Sequence, residues 1–299
     1  VLSDSMNMMA MKRHYDPKES AVQAFLAGVD LLMLAEEHYD HNAEQYLANQ
    51  QALIEAAIEA NASGTLPTAR IDEAVRRVLT LKAKSDLTLA PPVDKEEAIQ
   101  IVGSGAHRNV ELEVATAAVS ILRNRKGLLP MDAMQKILLV NTTTRKSYEP
   151  LGATRGIGPN QTDASFDLFE AALKKTHSTY RTIAAEDVLA GSIAPAADEV
   201  IVAVTENFPL PGMDFDQASQ PQIIGQLHDQ YADQLVIVAL RDPYEMRLFP
   251  DVNTYLCTFS FRKPAAQAAA TCLFDTDGIK TTSPVSVHEA RIEAADMAV

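Results

Sequence analysis

An α/β fold in two successive units is predicted by three observations. Strand-length apolar runs at 29–35, 136–141, 199–205, 235–240 and 254–259 alternate with amphipathic helical stretches. The pair Pro91-Pro92 and the segment Gly103-Ser-Gly105 interrupt that alternation once. The chain has 299 residues, 47% of them hydrophobic. That is enough for two cored domains at about 150 residues each.

The first unit reads strand, helix, strand, helix, helix. Residues 1–3 are apolar, like the end of a buried strand. Residues 17–28 place Ala21, Val22, Ala24, Phe25 and Leu26 behind Pro17, with Gly28 as a stop. Residues 29–35 are nearly continuously apolar, as in a parallel strand buried on both faces. Residues 43–62 carry Leu47, Leu53, Ile54, Ala57 and Ile58 and end at Asn61-Ala-Ser-Gly64. After Thr65-Leu-Pro67, residues 71–84 set Ile71, Val75, Val78, Leu79 and Leu81 on one stripe. Asp72, Glu73, Arg76, Arg77 and Lys82 make the opposite, solvated side.

Residues 87–105 read as a linker, with a short helix at 95–102. Beyond it a helix is expected at 111–123, carrying Leu112, Ala115, Val119 and Leu122. Strands follow at 136–141, 199–205, 235–240 and 254–259, with helices at 165–175, 221–231 and 264–274 between and after them. This order predicts a doubly wound, mainly parallel sheet covered by helices on both faces.

The charge balance narrows the function classes. Twenty-six basic against 40 acidic residues give −14, which repels phosphate and argues against a nucleic-acid partner. No run of eighteen apolar residues exists, so no membrane span is expected. Cys257 and Cys272 sit in apolar contexts without paired spacings and read as buried inert thiols.

Chemistry-bearing candidates are few. Asp4 follows an apolar strand start and precedes a loop, where α/β folds place reacting carboxylates; it reads at least as readily as a cap or loop carboxylate. Met6, Met8, Met9 and Met11 could suit a soft copper ion, but without a neighbouring Cys or His they read better as packing or pocket lining. His38, Asp40 and His41 resemble a metal cluster, yet lie beside Glu36 and Glu37 in what reads as a solvated loop. Gly152-Ala-Thr-Arg-Gly156-Ile-Gly158 lacks the Lys-Ser/Thr of a phosphate loop, which weakens a nucleotide-binding reading. No metal is expected.

The order of these pieces resembles glycoside hydrolase family 3, in its β-N-acetylglucosaminidase branch. Val1-Leu-Ser-Asp4-Ser-Met-Asn-Met8 is similar to the family's strand-end motif, and Ala27-Gly-Val-Asp-Leu-Leu-Met-Leu34 to its last barrel strand. Gly64-Thr-Leu-Pro67 and Arg70 through Lys82 resemble the helix that closes the barrel. Ala118-Val-Ser-Ile-Leu-Arg-Asn124, Leu128-Leu-Pro130, Ala239-Leu-Arg-Asp-Pro-Tyr244 and Phe249-Pro250 resemble signatures of the second domain.

The resemblance implies the last two units of a (β/α)8 barrel over 1–86, a linker over 87–105, and an α/β sandwich over 106–299. It implies Asp4 as the nucleophile of a retaining hydrolase of terminal β-linked N-acetylglucosamine, with muropeptides as one substrate source and no cofactor. Met8 is implied as a sugar-pocket residue, or equally as a core residue beneath it. Ser5 stands where many relatives carry a second acidic residue, so the hydrogen bonding around the nucleophile is expected to differ. The family's acid/base, a His–Asp pair in a loop before the nucleophile, is expected outside this chain, since three residues precede Asp4. A whole barrel needs about 250 residues. The chain is therefore expected to be a C-terminal portion, inactive alone, with an N-terminal barrel fragment of the same protein as partner. A β-glucosidase or β-xylosidase of the same family is the alternative enzyme. A noncatalytic module for docking, glycan binding or dimerisation is the alternative outside enzymes.

Overall fold

The computed structural model describes residues 1–35, 43–87, 92–144, 163–206, 219–241 and 243–287. His38, Asp40 and His41, and the 152–158 glycine segment, lie outside the described residues. The chain divides into two compact units, Val1–Lys95 and Glu96–Val299. No described helix is long and apolar enough to cross a membrane.

In the first unit, β1 (Leu2–Ser5) and β2 (Leu31–Met33) pair in parallel, Leu2 with Leu31 and Ser5 with Met33. Between them run α1 (Met9–His14) and α2 (Pro17–Leu26); α3 (Ala43–Ala62) and α4 (Thr68–Lys84) follow. Helix α1 was not expected, because six residues within a methionine-rich run show no helical stripe. Helix α2 starts where Asp16 accepts from the amides of Lys18 (2.9 Å) and Glu19 (3.2 Å), with Pro17 in the first turn. Gly28, at φ +105°, supplies the reversal into β2 that a residue with a Cβ resists.

One buried carboxylate ties these elements together. Asp30 Oδ1 accepts from Arg70 Nη2 (3.0 Å) and Arg77 Nη1 (3.2 Å) of α4, and Oδ2 also lies within reach of Arg77 Nη1 at 3.4 Å. Arg70 also donates to the carbonyls of Phe25 (2.8 Å) and Val29 (2.7 Å), which fastens the end of α2 and the entry to β2.

The expected apolar stripes of α3 and α4 exist but stay largely uncovered in this unit. Leu53, Ala56, Ala60 and Ala74 are buried, whereas Ile54, Ile58, Val75 and Leu79 are more than half or about half exposed. Leu2, Leu31 and Met33 on the strands are exposed too.

The second unit holds a six-stranded sheet. Helices α5 (Lys95–Ile101) and α6 (Gly105–Ala118) lead into β3 (Ser120–Asn124), β4 (Lys136–Asn141), α7 (Ser165–Thr176), β5 (Tyr180–Ile183) and α8 (Ala185–Leu189). Then follow β6 (Glu199–Thr205), α9 (Ser219–Tyr231), β7 (Leu235–Ala239), β8 (Thr254–Cys257) and α10 (Lys263–Cys272). The strand order is β3-β8-β7-β6-β4-β5, parallel throughout except for β3 against β8. This is the mainly parallel, two-faced sheet expected from sequence.

The expected helix at 111–123 is corrected: α6 ends at Ala118 and 120–124 is an edge strand. Apolar residues at Val119, Ile121 and Leu122 fit either period, and pairing with β8 decides for the strand. Strand β5 and helix α8 were missed because each is short and its burial is partial or confined to two residues.

Alternation along the central strands feeds two cores. Leu139, Val202, Val204, Val236 and Val238 pack with Phe166, Phe169 and Leu173 of α7 and Ala266, Ala269 and Ala270 of α10. Leu138, Ile201, Ala203, Ile237 and Tyr255 pack with Ile223, Ile224 and Leu227 of α9 and Val188 of α8. Both faces are covered, hence the uninterrupted apolar runs. Cys257 and Cys272 are free and buried, and burial, with Asp275 nearby, pushes the Cys272 thiol up to about 12.

Two outcomes follow. Phe169→Ala, which empties a fully buried ring site, should cost about 3–5 kcal/mol in urea unfolding of the second unit. Asp30 pairs with Arg70 and Arg77 as a carboxylate, so the stabilisation it gives is present at neutral pH and is lost as acid protonates it. Asp30→Asn should therefore lower the first unit's melting midpoint at neutral pH, and the gap from wild type should close on acidification. A gap that persists at pH 2 would contradict it.

Candidate active site

Asp4 lies at the C-terminal end of β1, where parallel α/β units present their reactive side chains. Its side chain is exposed. Carboxylate Oδ1 accepts from the backbone N–H of Ser5 at 2.7 Å, and among the described residues Oδ2 has no partner. The site residue is thus an accessible carboxylate with one oxygen held and the other open, the form a carboxylate nucleophile needs.

The turn after Asp4 is tied down by side chains and backbone amides together. Ser5 Oγ donates to the Ala35 carbonyl (3.3 Å) and accepts from the Asn7 amide (3.2 Å). Asn7 is 2% exposed, and its Nδ2 donates to the same Ala35 carbonyl at 2.9 Å. The Met6 amide donates to Met33 O at 2.9 Å, and Gln50 of α3 donates to Leu34 O at 2.6 Å. Ser3 Oγ accepts from the Met33 amide at 2.9 Å. The carboxyl ends of both strands are held as one edge.

Met8 sits at the same turn, half-buried, and leads into α1. Its carbonyl accepts from the amides of Met11 (2.9 Å) and Lys12 (3.1 Å). No described contact joins its thioether to Asp4. Met6, by contrast, is buried in the core. Asn7 is the residue that sequence reading passed over; the available signal was one polar residue inside a methionine run.

A second polar cluster was also missed. At the carboxyl ends of β6 and β7, Glu206 Oε1 accepts from Arg241 Nη2 at 2.6 Å, and Arg241 stacks 3.9 Å from the Phe261 ring centre. Gln220 clamps the Glu206 backbone through both its amide and carbonyl, each at 3.0 Å, and accepts from Thr142 Oγ1 at 3.1 Å. Burial pushes the Glu206 carboxyl up, opposed by Arg241. The signal was a Glu and an Arg each placed just beyond an apolar strand. Their bonds brace the sheet end. No group of three or more His, Cys, Asp or Glu among the described residues could hold a metal ion.

Residues 1–81, which contain both strands and most of α4, match the glycosyl hydrolase family 3 N-terminal domain model. Beta-hexosaminidase A of Pseudoalteromonas piscicida is 22% identical over 270 residues, 87% of this chain and 43% of that protein. A family 3 β-N-acetylglucosaminidase structure from a Paenibacillus species matches with TM-score 0.63 and 22% identity, over 98% of this chain and 51% of that one. A fungal multi-domain β-N-acetylglucosaminidase of the same family matches with TM-score 0.61 and 24% identity, over 97% and 31%. A β-glucosidase from Listeria innocua matches with TM-score 0.57 and 20% identity, over 92% and 39%. The chain thus spans about half or less of these relatives' lengths.

Because Asp4 is exposed and its bond to Ser5 is local, Asp4→Asn should unfold within about 0.5 kcal/mol of wild type by thermal or urea denaturation. The strand pair that carries Asp4 falls within the residues that match the family 3 N-terminal domain model, and nearly the whole chain shares the fold of the family 3 structures.

Proposed function

We propose that this chain is part of a retaining glycoside hydrolase that removes terminal β-linked N-acetylglucosamine, with Asp4 as nucleophile. The observation that carries the reading is Asp4 itself, an open carboxylate at the end of a parallel strand inside the family 3 match. The named activity of the similar β-hexosaminidase and β-N-acetylglucosaminidases supports the sugar. Similarity to a β-glucosidase keeps a glucoside as the second reading.

In this mechanism Asp4 Oδ2 attacks the anomeric carbon as the bond to the leaving oxygen breaks. A general acid protonates that oxygen, and the sugar remains as an ester on Asp4. Water then attacks the same carbon, gives its proton to the former acid, and frees the carboxylate. Two displacements restore the original β configuration. The bond from Ser5 N–H holds Oδ1 and leaves Oδ2 to attack.

The acid/base and most sugar contacts are assigned to barrel units contributed by a partner segment of the same protein. The uncovered apolar faces support this. Beside β2 and α3 lies a groove of about 420 Å³, lined by Leu31, Leu32, Leu34, Ile54 and Ile58 among others. Exposed apolar grooves of this kind mark surfaces that are covered in use. Residues 1–86 are the barrel portion in this reading, 87–105 the linker and 106–299 the sandwich; Met8 lines the sugar pocket.

The test is hydrolysis of aryl β-glycosides of N-acetylglucosamine, glucose and xylose by the assembled enzyme. The N-acetylglucosaminide should turn over fastest and release β-configured sugar first, as followed by proton NMR. Asp4→Asn should reduce turnover by about 10³-fold or more while the protein stays folded. Undiminished turnover in that variant rejects the nucleophile assignment; preference for the glucoside selects the second reading.

A further inference from the structure

We infer that Asn7 and Ser5 are positioning residues that aim Asp4, and that they do so through a single acceptor, the Ala35 carbonyl two residues beyond β2. The inference rests on the nucleophile reading of Asp4.

The geometry forms a short relay. Ala35 O receives Asn7 Nδ2 at 2.9 Å and Ser5 Oγ at 3.3 Å. The Ser5 hydroxyl is shared, since it also accepts the Asn7 amide at 3.2 Å. With its side chain fixed in this way, the Ser5 peptide plane is fixed, and its N–H holds Asp4 Oδ1 at 2.7 Å. Oδ2 is then the oxygen left to attack. The neighbouring Met6 amide, bonded to Met33 O at 2.9 Å, prevents the turn from rotating as a unit.

Packing alone does not call for these residue types. Asn7 is 2% exposed and follows Met6, itself 6% exposed. An apolar side chain would fill this place without the cost of burying a carboxamide. Asn instead spends that desolvation on a bond to the adjacent strand, which fixes the direction of the turn rather than its volume. Ser5 has the same logic: a hydroxyl at this position can donate to Ala35 and accept from Asn7, which an alanine cannot. Attack on an anomeric carbon depends on aligned atoms about 3–3.5 Å apart, so a small tilt of Asp4 acts on the chemical step more than on binding.

The experiment compares kcat and KM of the assembled enzyme for wild type, Asn7→Ala, Ser5→Ala, Ser5→Thr and Asp4→Asn. Melting midpoints are measured alongside. Asn7→Ala should lower kcat about 10- to 100-fold with KM within about twofold. Ser5→Ala should lower kcat about tenfold, and Ser5→Thr, which keeps the hydroxyl, should restore it. If Asn7→Ala proves too unstable to assay, the Ser5 pair decides, because a purely structural role would not separate alanine from threonine in kcat. Unchanged kcat in Ser5→Ala and Asn7→Ala, beside an inactive Asp4→Asn, overturns the positioning role and leaves the nucleophile reading standing. Equal loss in Ser5→Ala and Ser5→Thr overturns it as well. Wild-type turnover in Asp4→Asn removes both.

Discussion

The first unit depends on Asp30. Two parallel strands of four and three residues cannot stand by themselves in water, and nothing in their length would keep Asp4 at a defined place. Asp30 precedes β2, is buried, and is met by Arg70 and Arg77 from α4. Arg70 extends the same hold to the carbonyls of Phe25 and Val29. A buried carboxylate is tolerable only when paired in this manner, so helix, turn and strand are fixed together or not at all. The edge that carries Asp4 inherits its rigidity from that knot.

From this edge the chemistry follows in steps. Pairing of Ser5 with Met33 brings the two strand ends side by side. The Ala35 carbonyl then becomes available to Ser5 and Asn7, and the Ser5 amide to Asp4. The second unit shows the same economy. Thr142 and Gln220 fasten the ends of β4 and β6, and the Glu206–Arg241 pair fastens β6 to the residue beyond β7. Thr142, Gln220 and the Glu206 carboxylate there are bonded to backbone or to a neighbouring side chain, as a low-dielectric interior favours.

Legibility in the sequence followed the strength of local pattern. Strands β4, β6 and β7 were readable because burial on both faces forces unbroken Val, Ile and Leu runs. Helix α2 was readable from Pro17 and Gly28, which act through backbone geometry alone. The edge strand β3 was not, since Val119 to Leu122 suits helix or strand and only its partner β8 decides. Asp4 was visible as a carboxylate after a strand, and its standing as nucleophile came from the ordered resemblance rather than from spacing. Asn7 showed only as one polar residue inside a methionine run: its meaning lies in the Ala35 carbonyl, 28 residues away, which no local pattern encodes. The Glu206–Arg241 pair was hidden for the same reason, at a separation of 35 residues.

The central claim is that the open oxygen of Asp4 forms a bond to sugar carbon. The most direct measurement is mass spectrometry of the assembled enzyme after reaction with a 5-fluoro glycosyl fluoride derived from N-acetylglucosamine, which slows release of the glycosyl intermediate. The account expects the fluorinated sugar's mass on the peptide that contains Asp4, with the fragment ions placing it on that side chain. Label on a different carboxylate, or an inactivated enzyme whose Asp4 peptide is unmodified, would contradict it.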